Sequence, residues 1–272
     1  MKTVSAIIIA ALYSSSALWA DSLVGLWTFS NPNDLGADSS GNGYNLTLEG
    51  NGTPGFDSTA LGGQGAVVLN GSEWFAATTF PGLIPTGNSP YTIAAWINPG
   101  SAPNDYGIVG WGDYSSSNGT NALRTATTDV GDASTGVDNY WWFNDVTDSA
   151  NVFNSQWYFV VATYDGTTRT VYIDPATGGP SVSDTPGTAN VQAENFAIGL
   201  ACPFCNTGDQ TDGQTFTGEL SDVSVYSGAL TQAEAISLQE SASTPEPGTL
   251  LTLVSALLLL WCGRCAIRQM PV

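Results

Sequence analysis

Five aromatic residues, Trp111, Tyr114, Tyr140, Trp141 and Trp142, stand near Asp113, Asn144 and Asp145 in a stretch that could recognise sugar. A pyranose ring has an apolar C–H face that stacks on indole or phenol, while its hydroxyls bond to carboxylates and amides. In Tyr140-Trp141-Trp142-Phe143, strand alternation sends neighbours to opposite faces, and near a sheet edge both faces cannot be equally buried. Either some of these rings form a sugar platform with Asp145, or all of them fill the interior. Arg124 is expected to pair with one of the nearby carboxylates or to be structural.

The loop Asp38-Ser39-Ser40-Gly41-Asn42-Gly43 offers a second chemistry. Asp38 and Asn42 supply oxygens, and the two glycines permit a fold-back that aims carbonyls at one point, as loops that coordinate Ca²⁺ do. The same residues also suit an ordinary turn. No histidine occurs anywhere, which removes Ser-His-Asp and Cys-His nucleophiles and imidazole metal ligands. Carboxylate chemistry remains, but the seven glutamates, Glu49, Glu73, Glu194, Glu219, Glu234, Glu240 and Glu246, are scattered. None forms the alternating strand pair that sets a glycosidase's acid and nucleophile about 5 Å apart, so catalysis is not expected. Cys202-Pro203-Phe204-Cys205 reads as a small disulfide clip in an oxidising compartment. The turn Asn206-Thr207-Gly208 that follows argues against a redox helix, and zinc would need further ligands.

Both ends read as addresses. Lys2, the apolar stretch from Val4 to Tyr13 and the small residues up to Ala17 or Ala20 have the layout of a secretory signal peptide over residues 1–20, with either cut site open. At the other end a linker, 241–247, closes on Pro245-Glu246-Pro247; an apolar helix candidate, 248–263, follows; and 264–272 carries Arg264 and Arg268. An uncharged run with basic residues on its far side inserts into a bilayer and is held basic side inward. The run falls a little short of the roughly 17 to 25 residues of a permanent span. This order of parts closely resembles the PEP-CTERM sorting signal of exported bacterial proteins. The resemblance implies exosortase-type machinery as a partner and delivery to the cell surface, outer envelope or extracellular matrix. A plain membrane anchor is the alternative, and whether the tail is cut stays open.

Between the ends only Arg124 and Arg169 oppose 23 carboxylates, a formal charge of −21. Nucleic-acid binding, which needs Lys and Arg to displace counterions, is excluded. The surplus of Asp, Asn and Gly suits either plain solubility or a hard cation such as Ca²⁺.

Elements must now position these groups. Short apolar segments separated by turn residues predict strands over Leu23 to Phe29, Ala66 to Leu69, Tyr91 to Ile97, Gly107 to Trp111, Tyr140 to Phe143, Trp157 to Tyr164, Arg169 to Ile173, Asn195 to Ile198 and Phe216 to Tyr226. Trp27, Trp96 and Trp157 fall inside strand patterns and are assigned to the core. One short helix is expected, opened by a Thr231/Glu234 capping box and continued by Ile236 and Leu238.

Gly25-Leu26-Trp27-Thr28-Phe29 followed by Asp38 to Gly43 resembles the opening of laminin-G-like, concanavalin A-like jelly roll domains. Tyr91 to Pro99, Trp157 to Asp174 with its Asp165-Gly166 turn, and Phe216 to Leu230 resemble later strands of that family, so the likeness runs over Leu23 to Leu238. It implies an all-β fold, a jelly roll β-sandwich of two antiparallel sheets over 21–240, between the signal peptide and the C-terminal hydrophobic helix. In related jelly rolls an ion ties the early loop to an acidic pair on the final strand; here that pair reads Ser221-Asp222. The resemblance thus implies a structural Ca²⁺ with Asp38, Asn42 and Asp222 as ligands. The whole reading is an exported, non-catalytic, lectin-like protein whose partner is extracellular polysaccharide or another glycan, with Ca²⁺ assisting hydroxyl contacts. A structural or adhesion protein that meets other proteins is the alternative, and a glycoside hydrolase a remoter one.

Overall fold

The computed structural model describes residues 22–100, 107–125, 135–142, 144–201 and 214–242. Two antiparallel sheets dominate it, their strands numbered here in chain order. Sheet I runs β13 (Ser181–Asp184), β12 (Arg169–Ile173), β11 (Tyr158–Tyr164), β6 (Tyr91–Pro99), β15 (Thr217–Ser227), β4 (Ala66–Asn70) and β3 (Gly55–Asp57), with β1 (Ser22–Trp27) also paired to β15. Sheet II runs β10 (Asn144–Asp148), β9 (Val137–Trp141), β8 (Thr120–Thr125), β7 (Gly107–Gly112), β14 (Ala197–Ile198), β5 (Glu73–Ala76) and β2 (Thr47–Gly50). The all-β sandwich expected from the sequence is the fold observed.

The period of two in the strands explains the layering. On β6, Ile93, Ala95 and Ile97 face the core between the sheets, where they meet Val160 and Ala162 of β11 and Val223 and Val225 of β15. Ala94 and Trp96 face outward, as do Phe159 and Val161 of β11, and this second apolar surface is covered by helix α1 (Gln232–Ala242). The helix begins as the sequence indicates: the Thr231 backbone N–H donates to Glu234 Oε2 at 2.8 Å and the Glu234 N–H donates to Thr231 Oγ1 at 3.4 Å. Its deepest residues are Ala235 and Gln239, while Leu238 packs at the margin. Gln239 earns burial by clamping a neighbouring turn, accepting from the Ala176 N–H at 2.7 Å and donating to Asp174 Oδ1 at 3.2 Å. Trp96 and Trp157 therefore lie under the helix, outside the main core, and Trp27 lies within that core.

β15 is the hinge of sheet I. Residues Thr217 to Leu220 pair with β4, and Val223 to Ser227 pair with β1, while β6 runs along its other side. At the changeover the register shifts, and Asp222 takes the left-handed conformation with φ 47°. The Ser221 hydroxyl, fully buried, lies 2.8 Å from the Gly65 carbonyl and 3.2 Å from that of Thr28, stapling the start of β4 and the end of β1 to the bulge. Among the described residues no helix is long and apolar enough to cross a membrane. The signal peptide (1–20), Phe143, the Pro245-Glu246-Pro247 motif, the 248–263 stretch and Arg264 and Arg268 lie outside those residues.

Candidate functional site

Alternation divides the aromatic run. Trp141 points inward and is fully buried, its ring 4.8 Å from that of Tyr164 and its Nε1–H donating to Tyr91 Oη at 3.0 Å. Trp111 is likewise fully buried, its Nε1–H donating to the Pro85 carbonyl at 2.9 Å. Both are core residues and not sugar platforms, because their strand positions face sheet I.

Tyr140 and Trp142 take the opposite face and gather with Tyr114 on the outside of sheet II. Tyr114 and Tyr140 stack with centroids 5.5 Å apart, and Trp142 stands edge-on to both, at 6.0 and 6.4 Å. Tyr114 is the buried floor of this group, its hydroxyl donating to the Ala201 carbonyl, and burial pushes its pKa up so that it stays a neutral phenol. Tyr140 and Trp142 are half-buried. Register explains the grouping: Asp145, Tyr140, Ala122 and Gly110 lie in one row across β10, β9, β8 and β7. Ala122 leaves room beside Tyr140, and Gly110 has no side chain because a Cβ there would stand 2.2 Å from the Ala201 carbonyl oxygen.

Next to the rings lies a charged group that the sequence reading caught only in part. Arg124 Nε stands 3.0 Å from each oxygen of Asp138, its cross-strand partner, and its Nη2 is 3.8 Å from Asp145. The guanidinium also lies 3.9 Å from the Tyr140 ring centroid, which fixes the plane of that ring. Pairing with a nearby carboxylate was expected; Asp138 as the main partner was not, although its place opposite Arg124 in a hairpin is the signal that reveals it. Asp113 and Asn144 are used elsewhere. Asp113 is held below the usual carboxylate range by the hydroxyls of Ser115 and Ser116, and Asn144 Nδ2 donates to the Pro186 carbonyl at 2.8 Å. The Tyr140 and Trp142 rings can stack on a sugar, and the Asp145 carboxylate can accept hydrogen bonds from its hydroxyls.

The residues expected to hold Ca²⁺ do not fit it. The two oxygens of Asp38 accept from the N–H groups of Leu26 (3.2 Å), Ser40 (2.8 Å) and Tyr44 (2.9 Å) and from the Ser40 hydroxyl (2.9 Å). Burial alone would raise its pKa, and these donors outweigh that and hold it low. Such a shell of hydrogens suits the carboxylate anion and faces a cation with the wrong ends of its dipoles, whereas Ca²⁺ takes six to eight oxygens. Asn42 Nδ2 donates to the Val24 and Leu23 carbonyls at 2.8 and 3.2 Å, so the loop is a strap onto β1. Asp222 sits in the β15 bulge, where the junction is closed by the Ser221 hydroxyl. Accordingly, adding millimolar Ca²⁺ or chelator is expected to shift Tm by less than about 1 °C; an ion present at 100 times its Kd would add about 2.7 kcal/mol, several degrees here.

Two carboxyls that sequence spacing did not reveal are neighbours on the outer face of sheet I: Glu219 of β15 pairs with Val68 and Asp57 of β3 with Ala66, on either side of β4. Burial raises the Glu219 pKa and Asp57 adds to the rise, against the Asn98 amide that donates to it at 2.6 Å; the Thr59 hydroxyl and N–H hold Asp57 low. A raised carboxyl keeps its proton to higher pH in the folded than in the unfolded chain, so its ionisation costs stability as pH rises. Glu219→Gln is expected to raise Tm at pH 7 relative to wild type, with the gain shrinking to nothing as pH falls towards 4.5. A gain that is constant across that window contradicts this.

Cys202 and Cys205 lie outside the described residues. The layered sheets and their strand order define a concanavalin A-like β-sandwich. The chain belongs to the Laminin_G_3 family, of the concanavalin A-like lectin/glucanases superfamily, whose profile matches residues 70–235. No curated protein sequence matches it. Among solved structures, domain 4 of AbnA, a GH43 extracellular arabinanase from Geobacillus stearothermophilus in complex with arabinotriose, is similar with TM-score 0.57 and 22% identity over 80% of this chain and 98% of that one. The binding domains of Paraclostridial Mosquitocidal Protein 1 (TM-score 0.53, 15% identity, 80% of this chain) and botulinum neurotoxin serotype D (0.54, 12%, 81%) are similar over 51% of their own length, so this chain spans about half of each. At these identities the likeness shows the fold.

Proposed function

We propose that this protein is an exported, non-catalytic glycan-binding sandwich, held at the cell surface or in extracellular polysaccharide by its C-terminal segment. The observation that carries this reading is the cluster of Tyr114, Tyr140 and Trp142 on the outside of sheet II, with Asp145 at its margin. Rings fixed by Arg124 and Tyr114 stack on a sugar without losing rotamer freedom on binding, which favours affinity. The structural neighbour that carries arabinotriose supports a sugar as ligand for this fold. Against catalysis stands the scatter of the glutamates, none of which forms the alternating strand pair of a glycosidase.

A glycan array with the purified protein, run with Ca²⁺ and with chelator, tests the reading. Binding to glycans in both conditions, with no reducing sugar released, is the expected result. An empty array together with capture of a protein partner supports adhesion instead, and sugar release supports a hydrolase. Export is checked by cell fractionation: recovery of the protein from the cytosol with both termini intact contradicts it.

A further inference from the structure

We propose that the glycan taken by the outer face of sheet II carries no negative charge; this rests on the glycan-binding reading above. From residue 3 to residue 263 the only side-chain cations are Arg124 and Arg169, and histidine is absent. Both cations are spent. Arg169, on β12 of the other sheet, is fully buried; its Nη2 stands 2.8 Å from Asp184 Oδ2, its Nη1 donates to the Asn144 carbonyl at 3.0 Å and its guanidinium lies 4.4 Å from the centre of Trp141. Arg124 is 6% exposed and answers two carboxylates, Asp138 at 3.0 Å and Asp145 at 3.8 Å, with its face against Tyr140. The charged group beside the rings therefore sums to −1, inside a body of −21.

An anionic sugar, a uronate or a sulfated residue, that stacks on Tyr140 or Trp142 meets Asp145 and finds no cation to receive its charge. Like charges at such a site repel, and the repulsion weakens as salt shortens the Debye length. A neutral ring loses nothing here, since Asp145 accepts from its hydroxyls. An amino sugar gains from the field of the body and from Asp145, so the selection is against anions alone.

The test is a titration of the full chain, in chelator, with neutral polysaccharides (arabinan, glucan, mannan, galactan), polygalacturonate and partly deacetylated chitin at low and moderate salt. The expected result is binding of at least one neutral or amino polymer at least tenfold tighter than polygalacturonate. Any residual affinity for polygalacturonate should rise with added salt. Asp145→Lys should raise that affinity about tenfold, showing that charge and not shape excludes the acid. Equal or tighter binding of polygalacturonate than of every neutral and amino polymer by wild type overturns the inference while leaving glycan binding standing. No binding to any polymer overturns the reading beneath it.

Discussion

Trp141→Ala is expected to unfold the domain more readily by about 3–5 kcal/mol, roughly 10 °C in Tm, while Trp142→Ala costs about 1–2 kcal/mol and removes glycan affinity instead. The two residues are adjacent, and strand alternation alone separates their fates. Trp141 is fully buried, and it also receives the Arg169 guanidinium on its ring and bonds to the Tyr91 hydroxyl. Its loss opens a cavity lined by Tyr164 and Tyr91 and takes away the indole N–H that the Tyr91 hydroxyl accepts, leaving that hydroxyl its bond to Asn139. Trp142 is half-buried, with its ring edge-on to Tyr114 and Tyr140. Thermal melts and glycan titrations of both variants check this. Similar melting losses with no difference in binding would show that the outer rings are packing and nothing more.

Asp184→Ala is expected to cost about 3 kcal/mol, and Arg169→Met only about 1 kcal/mol. The asymmetry follows from where each partner sits: the Arg169 side chain is 0% exposed and that of Asp184 is 29% exposed. Removing the acid leaves a buried guanidinium with one carbonyl and one ring to answer it. Removing the base leaves a carboxylate that water reaches, and Met fills the slot against Trp141 with a flexible apolar chain. Urea denaturation of the two variants measures the order; a larger loss in Arg169→Met contradicts it. The pair matters because Arg169 spans the sandwich from β12 to the Asn144 carbonyl on β10, next to the outer aromatic face.

The legible part of this fold is the part governed by local pattern. β6, β11, β12 and β15 declare themselves because their apolar residues are long runs or strict alternations, and the capping box fixes the start of α1 at Thr231. β2, β3, β5, β8, β10 and β13 do not: Thr47–Gly50, Asn144–Asp148 and Ser181–Asp184 are short, polar edge or near-edge strands whose partners, and not their composition, make them strands. At the site, the sequence indicates a ring face but cannot choose between Trp141 and Trp142, because alternation gives relative orientation and the register with β8 gives the absolute one. The poor fit of Asp38 to a cation is hidden from the sequence for a similar reason. One substitution, serine at position 221, lets a hydroxyl close the junction of β1, β4 and β15, and the orientation of the loop N–H groups towards Asp38 is visible only once the chain is folded.

A titration of the doubly substituted Tyr140→Ala, Trp142→Ala protein against the polysaccharide that wild type binds best puts the outer face of sheet II to the most direct trial. Loss of at least tenfold in affinity, with a cooperative melt retained, is the predicted result. Undiminished affinity in that folded variant would place the ligand elsewhere on the sandwich.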